Sequence, residues 1–159
     1  RRIFMMDQIF SNKKIFCIQI ILLFLMLAWV LFFIGDLKSL FNPTSVEKDL
    51  PFKVTYLIFF VASLIAFILT FMIFSQIRIN PFSMKVVSLL KCTSLVFFIM
   101  SATTIFIDTY RGIDGMFTFM GLTIEVVSLL FFTLCFSTLI LGDILTEIVR
   151  IKDESDYII

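Results

Sequence analysis

No histidine occurs anywhere in this chain. Its absence removes the side chain most used for proton transfer near neutral pH, together with every His-containing zinc site. Cysteine is scarce too: Cys17, Cys92 and Cys135 are far apart, with no C-x-x-C pair. Each lies in or at the edge of a different apolar stretch, where a thiol reads as a small packing residue. Only Cys17 and Cys92 fall near one membrane face, which leaves a contact between them open. Charge is thin, with 13 Lys and Arg against 12 Asp and Glu for a net charge of +1. That balance excludes a strongly basic, nucleic-acid-binding body. With no nucleophile–base pair and no cluster of acids at one depth, an enzyme is not expected, and neither a cofactor nor a metal is implied.

What fills the chain instead is apolar. Of its 159 residues, 60% are hydrophobic and 22 are phenylalanine, and the mean hydropathy is +1.10. The 16% charged residues could not cover so much apolar surface in water, so lipid is the expected solvent. Four long runs carry the excess: Ile15–Ile34, Val54–Phe74, Val86–Ile107 and Leu122–Leu141. At ~1.5 Å rise per residue each can cross a hydrocarbon layer about 30 Å thick. The expected fold is all-α: a four-transmembrane-helix bundle forming one integral membrane domain over residues 1–159. The chain opens Arg1-Arg2, so either Met5 or Met6 is its start or further residues precede Arg1. The first run is too long for a signal-peptide core and lacks a small-x-small cleavage site, so it reads as a retained helix.

Basic residues orient the bundle. Assigning loops alternately to two sides places Arg1, Arg2, Lys13, Lys14, Arg78, Lys85, Lys91, Arg150 and Lys152 on one side. Lys38, Lys48, Lys53 and Arg111 lie on the other. By the positive-inside bias both termini are cytoplasmic, in a cell (inner) membrane. The first external loop, Gly35–Lys53, holds Pro43 and Pro51, which break any continuous helix and leave room for a short one near Ser45–Leu50. Trp29 sits about one turn inside the outer end of helix one, where an indole can reach the interface.

Three places carry functional potential. The cytoplasmic turn Gln76–Ser83 contains Asn80, Pro81, Phe82 and Ser83. There Asn80 can cap a helix that Pro81 opens, or Ser83 one that begins at Met84. Glu125 is placed a turn inside helix four, about 5–6 Å below the outer boundary, on a face continued by Ser128, Phe132 and Cys135 that should point inward. An acid within a membrane is a functional candidate by default. Three roles stand for it: a structural acid, protonated or hydrogen-bonded to Thr103 or Thr104; the proton- or cation-linked group of a small transporter or channel-like subunit; or an interfacial acid that snorkels to the boundary. The tail, Gly142–Ile159, continues helix four into the cytoplasm. Its apolar stripe is Ile144, Leu145, Ile148 and Ile151, and it ends in the acids Asp153, Glu154 and Asp156 before Tyr157-Ile158-Ile159. Small residues mark packing seams: Ala62, Ser63 and Ala66 on helix two, and Ser94, Ser101 and Ala102 on helix three. Gln19 can bond between helices or at the interface.

Asn80-Pro81-Phe82-Ser83 entering helix three, the following Val86–Lys91, the Trp29–Gly35 stretch and the tail Ile151–Ile159 together resemble a bacterial membrane family. This is the four-helix family called domain of unknown function 2975, and the likeness runs over nearly the whole chain. Family members often have Gly where Ile148 stands and an acid where Arg150 stands, and their ends differ from Tyr157-Ile158-Ile159. The resemblance implies no catalytic residue. It does imply a partner, because members are often encoded beside a small Cro-like helix-turn-helix regulator. The leading expectation is a non-enzymatic regulatory or signalling membrane protein that engages a cytoplasmic partner. The alternatives are a small transporter using Glu125, or a structural or immunity-type membrane protein whose external loops meet a toxin or envelope partner.

Overall fold

The computed structural model describes residues 12–40, 50–111, 117–119 and 122–156. Among them are four helices, each long and apolar enough to span a membrane: α1 (Asn12–Leu40), α2 (Leu50–Ile79), α3 (Met84–Arg111) and α4 (Val126–Asp156). The architecture is all-helical apart from a hairpin between α3 and α4, in which β1 (Phe117–Phe119) pairs antiparallel with β2 (Leu122–Ile124). The loop around Ser45 lies outside the described residues. Pro51 does not interrupt α2 but sits in its first turn, where no intrahelical N–H is required, and its carbonyl accepts the Thr55 hydroxyl at 2.9 Å.

The helices meet in chain order, α1 on α2, α2 on α3 and α3 on α4. α3 is central: 39% of an 18-residue apolar stretch of it is buried inside the protein, against 6% for the like stretch of α1. Its buried positions recur every seven residues as Val86 and Val87, Thr93 and Ser94, Met100 and Ser101, Ile107 and Asp108. α4 answers with Ser128, Cys135, Gly142 and Val149, again seven apart. A strict seven-residue seam of small residues lets two antiparallel helices pack closely along their whole length. Ser101 Oγ donates to the Ser128 carbonyl at 3.0 Å, and Gly142 lies against Leu90 and Lys91. Of the small residues singled out in the sequence, Ala62, Ser63, Ala66, Ser94 and Ser101 are buried, whereas Ala102 is exposed. Ala62 and Ala66 pack with Val96 and Met100 in the core between α2 and α3.

The α1–α2 contact depends on a few specific groups. Trp29 differs from the sequence expectation. Its indole Nε1 donates to Ser63 Oγ at 2.7 Å, inside the protein, and does not turn to the interface. An N–H facing hydrocarbon has no other acceptor, so an internal hydroxyl wins. Gln19 makes the interhelical choice, with Nε2 donating to Ser75 Oγ at 2.8 Å. Phe33 stacks on Phe60 with ring centroids 3.4 Å apart. Ser63→Ala is expected to lower stability by about 0.6–1.7 kcal/mol, the range for such bonds in a membrane. SDS titration should show it, and Trp29, the sole tryptophan, should change its emission in the same variant.

Candidate functional site

The turn and the end of α4 meet at one end of the molecule. α2 closes with Asn80 N–H donating to the Gln76 carbonyl at 2.8 Å. Asn80 Oδ1 then accepts the Phe82 N–H at 3.2 Å, the i→i+2 bond by which an Asx side chain imitates a backbone turn. Asn80 thus shapes the turn and does not cap a helix opened by Pro81. α3 begins at Met84, as the Ser83 alternative requires. The Ser83 carbonyl accepts Val86 N–H at 3.0 Å and Val87 N–H at 3.3 Å. Its hydroxyl does not complete the cap: Ser83 Oγ is buried and has no hydrogen-bond partner among the described residues. Pro81, Phe82 and Ser83 are half-buried and Asn80 is exposed.

α4 reaches this turn. Extending the register set by Ser101–Ser128 and Gly142–Leu90 brings Val149, which is 5% exposed, level with the start of α3. The apolar stripe of the tail is not the face that packs on α3. Ile144, Ile148 and Ile151 are exposed, Leu145 is half-buried, and Val149 takes the inward position. The seven-residue seam, set upstream by Ser128 and Cys135, decides which face turns inward. On the outer face, Arg150 Nη2 donates to Glu147 Oε1 at 2.7 Å, and its Nε lies 3.5 Å from Glu154 Oε1. Asp153 and Glu154 are both exposed. Asp156 is the last residue of the helix, and Tyr157–Ile159 lie outside the described residues. One turn deeper than Glu147, Asp143 Oδ1 is 3.0 Å from Lys91 Nζ across the α3–α4 seam.

Glu125 sits at the opposite end and not where the sequence reading puts it. Leu122–Ile124 form β2, so α4 starts at Val126 and Glu125 is the residue just before it, half-buried. Its carbonyl accepts the Ser128 hydroxyl at 2.7 Å and the Leu129 N–H at 3.2 Å, the geometry of a residue that opens a helix. An acid there also faces the positive end of the helix dipole. Thr103 and Thr104 are buried but donate to carbonyls of their own helix, Ile99, Met100 and Ser101, and not to Glu125. Of the face expected to continue from it, Ser128 and Cys135 are buried while Phe132 is exposed.

A buried acid does exist at this end, and reading the sequence missed it. Asp108, the residue just beyond the third apolar run, lies within α3 and is only 9% exposed. Its seven-residue spacing from Ser101 and Ser94 was the available signal. All three cysteines are free thiols, Cys17 and Cys92 exposed and Cys135 buried. Among the described residues no three His, Cys, Asp or Glu side chains are grouped to hold a metal ion. No family model, curated protein or solved structure matches the chain.

Proposed function

We propose that this is a non-enzymatic regulatory or signalling protein of a bacterial inner membrane, with both termini cytoplasmic. Its cytoplasmic face holds a small helix-turn-helix regulator at the membrane. One observation carries the reading: α4 continues unbroken to Asp156 and brings exposed Asp153 and Glu154 to the same end as the Asn80–Ser83 turn. At ~1.5 Å per residue a helix of 31 residues is about 46 Å long, well beyond a hydrocarbon layer of about 30 Å. The excess stands in the aqueous phase. An acidic helix end suits a regulator whose DNA-binding surface is basic, because complementary charge steers encounter and fixes orientation. The basic residues counted on this side support its cytoplasmic placement. In this reading Glu125 is structural, opening α4 at the far side.

A compact helix-turn-helix reading frame is expected beside this one, and the test is membrane retention of its product. Deleting Asp153–Ile159 should move it from the membrane to the soluble fraction, and Asp153→Asn with Glu154→Gln in the full chain should weaken its retention by roughly tenfold. Unchanged recovery of the partner with the membrane in both variants would sink the proposal.

A further inference from the structure

The α3–α4 seam is not flush along its lipid-facing edge. A groove with a cavity of about 530 Å³ runs there, lined by residues of both helices. Its floor is made by small, buried side chains, Ser94 at 3% and Cys135 at 8% exposure. Its walls are tall and apolar: Leu95 and Phe98 from α3, Phe136 and Leu139 from α4, all exposed to the surroundings. The polar group of the floor is already satisfied, since Ser94 Oγ donates to the Lys91 carbonyl at 2.8 Å. From Lys91 to Phe98 the trough extends for about 10 Å along α3. A slot of this kind suits one flexible hydrocarbon chain.

One end of the slot is charged. Lys91 Nζ and Asp143 Oδ1 close it at 3.0 Å, with the side chains 50% and 60% exposed. Counting about 20 residues down α4 from Val126 reaches the far boundary of the hydrocarbon layer close to Asp143. The pair therefore lies where headgroups begin. Their mutual contact uses one of three Lys91 N–H donors and one of several Asp143 lone pairs. The remainder faces outward, positive beside negative.

We infer that this groove binds one phospholipid bearing a primary-ammonium headgroup. The phosphate lies on Lys91, the ammonium donates to Asp143, and one acyl chain runs along the trough between Phe98 and Phe136. Charge complementarity selects the headgroup. A quaternary ammonium has no N–H to give Asp143, and a glycerol headgroup satisfies Lys91 through its phosphate but offers Asp143 only neutral hydroxyls in place of a cation. The site is separate from the proposed partner face, since neither the Asn80–Ser83 turn nor Asp153 takes part.

The experiment titrates the purified full chain in detergent with phosphatidylethanolamine, phosphatidylcholine and phosphatidylglycerol of identical acyl chains, and counts bound lipid by native mass spectrometry. Phosphatidylethanolamine should bind about tenfold more tightly than the other two, the worth of one charge-assisted hydrogen bond. Asp143→Asn should erase its advantage over phosphatidylcholine, and Lys91→Met should weaken all three. Should either variant fail to fold, the ranking on the unaltered chain still decides. Equal affinities would overturn the inference, as would tightest binding of phosphatidylglycerol or a preference that survives Asp143→Asn.

Discussion

Leucine in place of Gly142 is expected to force α3 and α4 apart and to cost about 3 kcal/mol, the upper range for overpacking a fitted interface. Gly142 is buried in the middle of a long helix, where glycine is a poor helix former by about 1 kcal/mol relative to alanine. Close approach explains its use there. A Cβ at this position would stand 3.4 Å from Lys91 Cγ and 3.7 Å from Leu90 Cβ. One methyl group therefore fits in ordinary contact, and anything larger meets the opposing helix. Gly142→Ala should consequently be neutral or slightly stabilising, because it gains helix propensity without a clash. Gly142→Leu should in addition part Lys91 from Asp143, the neighbouring ion pair. SDS titration of both variants checks this pairing of outcomes. Equal stability of the leucine variant and the parent would show that the seam is loose at this point.

Phe52→Ala is the second large effect, expected to destabilise by about 3 kcal/mol. Phe52 is fully buried, against Ile107 of α3 with Tyr56 and Phe59 alongside, and its ring lies 6.3 Å from that of Tyr56. In a water-soluble protein the loss would combine transfer and cavity terms. A helix released into lipid regains an apolar environment, so most of the transfer term disappears and the lost packing contacts dominate. That places the expected cost at the low end of the Phe→Ala range. Phe52→Leu keeps most of the volume and should cost about 1 kcal/mol. Comparable losses for leucine and alanine would show that the ring geometry, and not the filled space, holds α2 to α3.

The spans were legible in the sequence because a membrane imposes one strong requirement, a long apolar run, and the four runs met it. The turn between α2 and α3 was legible for a different reason: Asn80 and Pro81 carry their own backbone chemistry. The hairpin before α4 was not. Leu122-Thr123-Ile124 is too short an apolar stretch for periodicity to separate strand from helix, so in the sequence it merges with the fourth run and carries Glu125 inward with it. Trp29 was misdirected for a related reason. Residue type allows an indole either an interfacial or an internal acceptor, and only the placement of Ser63 on α2 decides between them. The α3–α4 seam was written in the chain as a seven-residue repeat of small and polar residues. Small-x-x-x-small steps mark only part of it and do not extend to Gly142, Val149 or Asp108. At the proposed partner face, the Asn80–Ser83 turn and the acids could be read directly, but which face of the tail turned inward depended on that same repeat.

The burial of α3 also bears on how the protein reaches the membrane. It is the least apolar of the four spans, because the serines and threonines that fit it between α2 and α4 replace residues that favour lipid. Alone in a bilayer, α3 would expose Asp108 to lipid and leave Ser101 without the Ser128 carbonyl to which its hydroxyl donates. α4 follows after a short hairpin and supplies the matching surface. During biogenesis the two are therefore expected to enter as a pair, α3 waiting beside the insertion machinery until α4 emerges from the ribosome. α1 and α2, richer in apolar side chains, need no such companion.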